Sequence, residues 1–192
     1  MKWLNRLSDR AYSCASKQTG FFLLSLLVVI LFTMQIGTNG MKKFDSTAEM
    51  LDMNKLGYSI AIVYGLLTRL GSIGRLIYVQ QLGIDILFAV VFALFQSVMI
   101  SGLIRRSQVG DRWKILNLLP FARSLLDLVE NGLLLSIIFR FPVENLILVA
   151  TASTVTIAKW IIYYVVVVTL FSLGTYSTIK SLPKGKLSPK VS

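Results

Sequence analysis

The sequence predicts an all-α fold, a polytopic membrane four-helix bundle with an extracytoplasmic helical cap. Hydrophobic residues make up 55% of the 192 positions and charged residues 15%, whereas soluble domains are about 45–50% apolar and about 25% charged. The apolar residues are concentrated in several long runs, which indicates membrane-spanning helices rather than one large soluble core. One of these runs also carries ionisable side chains, and they are the natural candidates for a functional site.

The charge balance and the missing residue types exclude several classes of function. The net charge is +11, but most Lys and Arg residues flank apolar runs. This pattern is typical of helices oriented against an anionic membrane surface, so no nucleic-acid partner is predicted. The chain has no histidine and one cysteine, Cys14, which excludes His/Cys metal sites, a Ser-His-Asp triad and an intrachain disulfide. We therefore predict no metal site and no cofactor.

The first part of the chain contains a surface segment, a span and a long loop. Residues 1–20 are polar and basic, and the spacing of their apolar members predicts a cytoplasmic amphipathic helix lying on the membrane. The first span, about residues 21–37, contains no charge. The outer loop, residues 38–81, follows. Its apolar part, residues 58–67, is too short to cross a bilayer, so it is expected to be re-entrant, interfacial or packed over the bundle as a cap.

Three further spans complete a membrane domain over residues 21–176, and they are predicted at about residues 82–104, 115–139 and 145–176. The last of them would be about 48 Å long as a helix, which exceeds the hydrocarbon core of about 30 Å. Its first half is therefore expected to project beyond the bilayer. Residues 177–192 are predicted to form a disordered basic cytoplasmic tail.

The distribution of Lys and Arg predicts the orientation. The N-terminal segment, the connection at residues 105–114 and the C-terminal tail contain four each, whereas the connection at residues 140–144 contains one. The outer loop contains five, but they are spread over a longer segment that also contains acidic residues. Because basic residues accumulate on the cytoplasmic side, both termini are expected in the cytoplasm and the outer loop outside. The predicted location is the plasma (inner) membrane, as a multi-pass protein.

The third span carries four polar side chains at helical spacing: Arg123, Asp127, Glu130 and Asn131. Residues three and four apart lie on one face of a helix. A charged side chain at the bilayer centre costs about 2.5–3.5 kcal/mol on insertion scales, so this face is expected to meet protein, water or a ligand. We predict that Arg123 pairs with Asp127, and that Asp85, Glu130 and Lys159 share one outward-facing cavity.

Two interpretations of these charges are open. They form a proton-exchanging or ligand-binding site, because costly intramembrane ionisable groups are functional candidates. Alternatively, they form an internally satisfied polar network that fixes the register of the helices. Phe88, Phe92 and Phe95 recur at helical spacing in the second span, and for them helix packing is favoured over a cofactor site.

Several short motifs follow one another along the chain: Phe44-Asp45, Gly74-Arg75-x-x-Tyr78, Asp85, Leu119-Pro120 and Asp127-x-x-Glu130-Asn131. In this order, over about residues 20–176, the chain resembles a family of small, functionally uncharacterised bacterial four-helix integral membrane proteins. That resemblance implies a fold and a set of positions, not an activity. The chain resembles less closely the EXPERA group, which includes sterol isomerases and whose small bundles place carboxylates near sterol-like or cationic lipophilic ligands. It lacks the histidine of the isomerase pattern.

The residues predicted to bind a ligand are Asp85, Arg123, Asp127, Glu130, Asn131, Lys159, Arg75 and Tyr78. The leading hypothesis is an integral membrane protein that binds a lipid or small lipophilic ligand in a cavity of the bundle. Its expected partners are membrane lipid, a lipophilic small molecule and further copies of the chain. One alternative is a membrane-embedded lipid-modifying enzyme, with Glu130 or Asp127 as the acid–base catalyst. The other is a small proton-coupled transporter that acts as an oligomer.

Overall fold

The computed structural model describes residues 2–181, and this part of the chain contains no β-strand. It comprises five α-helices and two short 3₁₀ helices: α1 (Lys2–Cys14), α2 (Lys17–Met41), Leu51–Met53 (3₁₀), α3 (Ile60–Ser107), Asp111–Leu118 (3₁₀), α4 (Leu119–Arg140) and α5 (Leu146–Ser181). The all-α prediction is confirmed. From residue 182 onward, the predicted C-terminal tail lies outside the described residues.

Three of the helices, α2, α3 and α5, are long and apolar enough to cross a membrane. Many of their large apolar side chains are exposed, among them Phe21, Phe32 and Phe171. Large exposed apolar surfaces are typical of regions that contact lipid or protein rather than water. Helix α4 has 22 residues but carries four ionisable side chains. These features are consistent with a membrane protein.

Helix α3 begins much earlier than the sequence predicts. A span is predicted from about residue 82, but the helix starts at Ile60, where the Ser59 hydroxyl accepts a hydrogen bond from the amide of Ile62. Residues 60–67 therefore lie in a short helical segment that ends at a kink at Gly71, ahead of the long apolar part of α3. Polar residues and glycines around the kink make this stretch resemble a loop in sequence, although the chain is helical on both sides of it.

Gly71 divides α3 into two helical segments that meet at a kink, because its φ of 62° and ψ of −171° are not helical. A positive φ of this kind favours glycine, which has no Cβ. The local break frees the carbonyl of Leu67 from its usual backbone partner. The Arg75 guanidinium donates to that carbonyl at 2.8 Å, so the interruption leaves this acceptor satisfied.

The ends of the other helices also differ from the predicted spans. Helix α4 begins at Leu119 rather than near residue 115, with Pro120 in its first turn, where a missing N–H removes no helical hydrogen bond. Helix α5 continues to Ser181, so the first five residues of the predicted disordered tail are helical. Lys180 stabilises this end by donating to the carbonyl of Ser107 at 2.9 Å.

Helix α3 packs against α2, α4 and α5, and α4 also packs against α5. The 42–59 connection, which joins α2 to α3, lies against α3 and α5. It is held by three hydrogen bonds: Leu51 N–H to the Tyr78 hydroxyl, the Trp160 indole to the Asp52 carbonyl, and Tyr58 N–H to the Ser153 hydroxyl, each 2.9 Å long. These bonds fix the position of Asp52 beside the helices.

Candidate functional site

Lys159 of α5 lies at the centre of a buried group of charges. Its ammonium is 2.8 Å from a carboxylate oxygen of Asp127 and also pairs with Glu130. Asp52, in the 42–59 connection, lies 3.8 Å from the same ammonium. Asp127 and Glu130 are both 0% exposed. Burying charges is costly, and close pairs of this kind offset that cost only when the groups remain matched.

Arg123 extends this group by one helical turn, as its spacing to Asp127 predicts. Its Nη2 atom lies 2.8 Å from the second carboxylate oxygen of Asp127. Its Nε and Nη1 atoms have no hydrogen-bond partner within residues 2–181. The guanidinium carbon lies 5.9 Å and 5.4 Å from the ring centroids of Phe88 and Phe92, within the range of a cation–π interaction. We refer to Arg123, Asp127, Glu130 and Lys159 as the inner cluster.

Glu130 is enclosed on both sides by protein. One oxygen pairs with Lys159 and the other accepts a hydrogen bond from the Thr156 hydroxyl. The Tyr58 hydroxyl lies 3.3 Å from that of Thr156. Burial raises the pKa of Tyr58 well above its usual range, so the phenol remains protonated. These partners make Glu130 part of a closed polar network.

Asp85 of α3 lies apart from the inner cluster. Its carboxyl accepts a hydrogen bond of 2.7 Å from the side-chain amide of Asn131 on α4. Asp85 is 3% exposed, and no cation forms an ion pair with it in the described part of the chain. Asn131 thus serves to hold Asp85 against α4.

A cavity of about 560 Å³ opens between α2, the 42–59 connection, α3, α4 and α5. It is lined by apolar, aromatic, polar and charged residues: Leu31, Met34, Gln35, Thr38, Lys42, Glu49, Met50, Asp52, Met53, Asp85, Phe88, Phe92, Arg123, Lys159, Trp160 and Tyr163. Of the three residues predicted to share a cavity, Asp85 and Lys159 line it. Glu130 does not, because Lys159 and Thr156 enclose it, and Asp127 also lies behind this lining.

Asp52 belongs to the site although the sequence analysis did not select it. It is 4% exposed, and its Oδ1 atom has no hydrogen-bond partner in the described residues. Burial raises the pKa of the Asp52 carboxyl to about 6, and the nearby Lys159 ammonium opposes that rise. In sequence, Asp52 stands in a polar stretch that resembles a solvated loop. Only the bonds that Trp160 and Tyr78 make to its neighbourhood bring it to the cavity.

Arg75 and Tyr78 were predicted to bind a ligand, but neither lines the cavity. Arg75 bonds the Leu67 carbonyl and lies 4.3 Å from the Phe141 ring centroid. Tyr78 is fully buried, and its hydroxyl accepts from the Leu51 amide. Arg75 supports the break in α3, and Tyr78 holds the segment that carries Asp52. Both therefore position the site from outside.

The described residues contain no group of three or more His, Cys, Asp or Glu side chains with a geometry that could hold a metal ion. Comparison with known protein families, with characterised proteins and with solved structures finds no match to this chain. The geometry of the cavity is therefore the basis for assigning a function.

Proposed function

We propose that this chain is an integral membrane protein that binds a lipid or another lipophilic ligand in the cavity between its helices. The observation that supports this proposal is that apolar surfaces and buried charged groups line the same cavity. Leu31 and Met34 of α2 and the stacked rings of Phe88 and Phe92 offer apolar surface, while Asp52, Asp85 and Arg123 offer polar groups. Ligand pockets typically combine a mainly apolar lining with a few placed polar groups.

The proposed membrane arrangement is a four-span bundle of α2, α3, α4 and α5. Helix α4 joins this set because Arg123, Asp127, Glu130 and Asn131, its polar stripe, are all buried against protein. Its lipid-facing surface would then be apolar, with Leu125 and Val129 exposed. We place the 42–59 connection outside as a cap over the cavity, and both termini in the cytoplasm of a plasma (inner) membrane protein, following the distribution of Lys and Arg.

Binding is favoured over acid–base catalysis by the state of the inner cluster. A general acid or base must lie within hydrogen-bond reach of the substrate. Asp127 and Glu130, the catalytic candidates, are 0% exposed and occupied by Lys159, Arg123 and Thr156. The groups that do face the cavity surround it from several elements, an arrangement suited to holding a ligand.

The experiment is to purify the full chain in a mild detergent and to identify retained lipid by mass spectrometry. We expect wild-type protein to retain lipid in a stoichiometric amount. Leu31→Trp places a bulky aromatic ring at the cavity wall and is expected to reduce the amount of retained lipid several-fold. Phe32→Trp is the matched control, because Phe32 is the adjacent residue of α2, is 69% exposed and does not line the cavity.

Equal retention by the two variants and the wild-type protein would count against the cavity as the binding site. The absence of any retained lipid, together with no binding of added lipid, would contradict the proposed function itself.

A further inference from the structure

Asp52 and Asp85, two carboxyl groups that line the cavity, have unused bonding capacity, unlike Asp127 and Glu130. Asp85 is 3% exposed and is held only by the amide of Asn131. Asp52 has one unpartnered oxygen within residues 2–181, and its nearest cation, Lys159, lies closer to Asp127 than to it. Two buried carboxyl groups thus line one cavity without a cation of their own.

Arg123, which lines the same cavity, has hydrogen-bond donors without acceptors. The residue is 9% exposed, its Nη2 atom is used by Asp127, and its Nε and Nη1 atoms have no acceptor among the described residues. Nε and Nη1 lie on different sides of the guanidinium and do not form one forked edge, so each can donate to a single oxygen of a phosphate or carboxylate.

A ligand that carries only one charge would pair either with the two carboxyl groups or with Arg123, but not with both. An anionic headgroup on Arg123 would share the cavity with the carboxyls of Asp52 and Asp85. A cationic group between those carboxyls would leave the Nε and Nη1 atoms of Arg123 without an acceptor. Unpaired buried polar groups are costly. A headgroup carrying both charges meets both requirements, and the apolar wall at Leu31 and Met34 suits its hydrocarbon part.

We infer that the ligand is a zwitterionic phospholipid with a primary ammonium, whose phosphodiester contacts the Arg123 guanidinium and whose ammonium lies between Asp52 and Asp85. This inference rests on the proposed function and narrows it to one class of lipid. The ammonium has three donors, enough to bond both carboxyls.

The test titrates delipidated full-length protein in detergent with four probes. These are short-chain phosphatidylethanolamine, short-chain phosphatidylglycerol, an alkylamine of similar length and water-soluble glycerophosphoethanolamine. We expect phosphatidylethanolamine to bind at least tenfold more tightly than each of the other three. Equal or tighter binding of phosphatidylglycerol or the amine would contradict the proposal that the headgroup is zwitterionic. Equal binding of the soluble headgroup would contradict the proposal that the ligand is a lipid. Binding of none of the probes would instead remove the proposed function as well.

Two substitutions separate the halves of the headgroup site. Asp85→Asn keeps an oxygen that can accept from Asn131, so the fold is expected to persist. It should weaken the binding of phosphatidylethanolamine roughly tenfold, as expected for loss of one charge-assisted contact. It should not weaken the binding of phosphatidylglycerol. Arg123→Gln should weaken both lipids and leave the amine unchanged.

Glu144→Gln removes an exposed carboxyl outside the cavity, and serves as the control that leaves all affinities unchanged. If Arg123→Gln fails to fold, Asp85→Asn alone decides the matter. Loss of affinity for the two lipids to the same extent in Asp85→Asn would exclude a role of this carboxyl in recognising the ammonium.

Discussion

Two pairs of carboxyl groups, close to each other in the molecule, have opposite environments. Asp127 and Glu130 of α4 are fully buried and each contacts Lys159 directly. Asp52 and Asp85 line the cavity. Asp52 lies 3.8 Å from Lys159, which is closer to Asp127, and Asp85 is bonded, among the described residues, only to the amide of Asn131. The comparison indicates that burial of an acid in a membrane helix does not by itself identify a binding residue. The partners already present decide whether the group is available for a ligand.

The largest effect expected from this comparison is loss of the cation at the centre of the inner cluster. Lys159→Met would leave Asp127 and Glu130 without their shared partner. Breaking a buried ion pair by removing one member costs about 3–5 kcal/mol, so we expect a loss of unfolding free energy of this size. Thermal unfolding in detergent would measure it.

Lys55→Met provides a matched control for that variant. Lys55 is exposed and lies 5.0 Å from the ring centroid of Trp160, the neighbour of Lys159 in sequence. Its loss is expected to change the unfolding free energy by less than about 1 kcal/mol. If the two variants unfolded at the same temperature, the inner cluster would not be a stabilising unit.

A second effect concerns pH and Asp52. Burial raises the pKa of this carboxyl from 3.8 to about 6 in the folded chain, so folding favours its protonated form. Its contribution to stability is full below pH 3.8 and is lost as the pH rises through about 6. Asp52→Asn mimics the protonated form. The melting temperature of the wild type, relative to Asp52→Asn, is therefore expected to fall between pH 4 and pH 7.

Lys159, Asp127, Glu130 and Asp85 are titratable groups that act on Asp52 in this experiment. Because both proteins retain them, their own titration largely cancels in the difference between the two melting curves. A difference that stayed constant with pH, or that favoured the wild type at pH 7, would mean that Lys159 stabilises the ionised Asp52 at least as much as burial penalises it.

The sequence predicts the helical class, and the reason is physical: long apolar runs can satisfy their backbone in a membrane only as helices or closed barrels. It also predicts that Arg123 pairs with Asp127, because positions one turn apart in a helix meet whatever the tertiary fold. The start of α3 is not predictable in this way. Two helical segments meet there at a kink at Gly71, where the Arg75 side chain bonds the carbonyl of Leu67.

The members of the cavity were harder to predict than the inner cluster. Asp52 reaches the site only through tertiary hydrogen bonds from Trp160 and Tyr78. Phe88 and Phe92 were predicted to pack helices; their rings do stack, at 5.1 Å, but they also line the cavity. The spacing of residues along one helix does not show which side chains face a cavity and which pack against another helix.

A smaller effect is expected from the hydroxyl that completes the environment of Glu130. Thr156→Val keeps the shape of the side chain and removes its hydrogen bond to the carboxylate. Hydrogen bonds to charged groups contribute about 1.5–3 kcal/mol, and we expect a destabilisation in this range by thermal unfolding. Thr154→Val is the control, since the hydroxyl of Thr154 is exposed and bonds only the carbonyl of Ala150. Equal effects would argue against a closed network around Glu130.

The smallest effect on stability is expected at Asp85, and it gives the sharpest form of the comparison. Asp85→Asn retains an acceptor for Asn131 and breaks no ion pair, so the unfolding free energy should change by less than about 1 kcal/mol. Asp127→Asn makes the same chemical change but weakens contacts to Arg123 and Lys159, and is expected to destabilise by more than about 3 kcal/mol. Unfolding of both variants in one detergent measures this contrast. If Asp85→Asn were as damaging as Asp127→Asn, Asp85 would be part of the structural network, and the division between an inner cluster and a set of ligand-facing carboxyls would have to be abandoned.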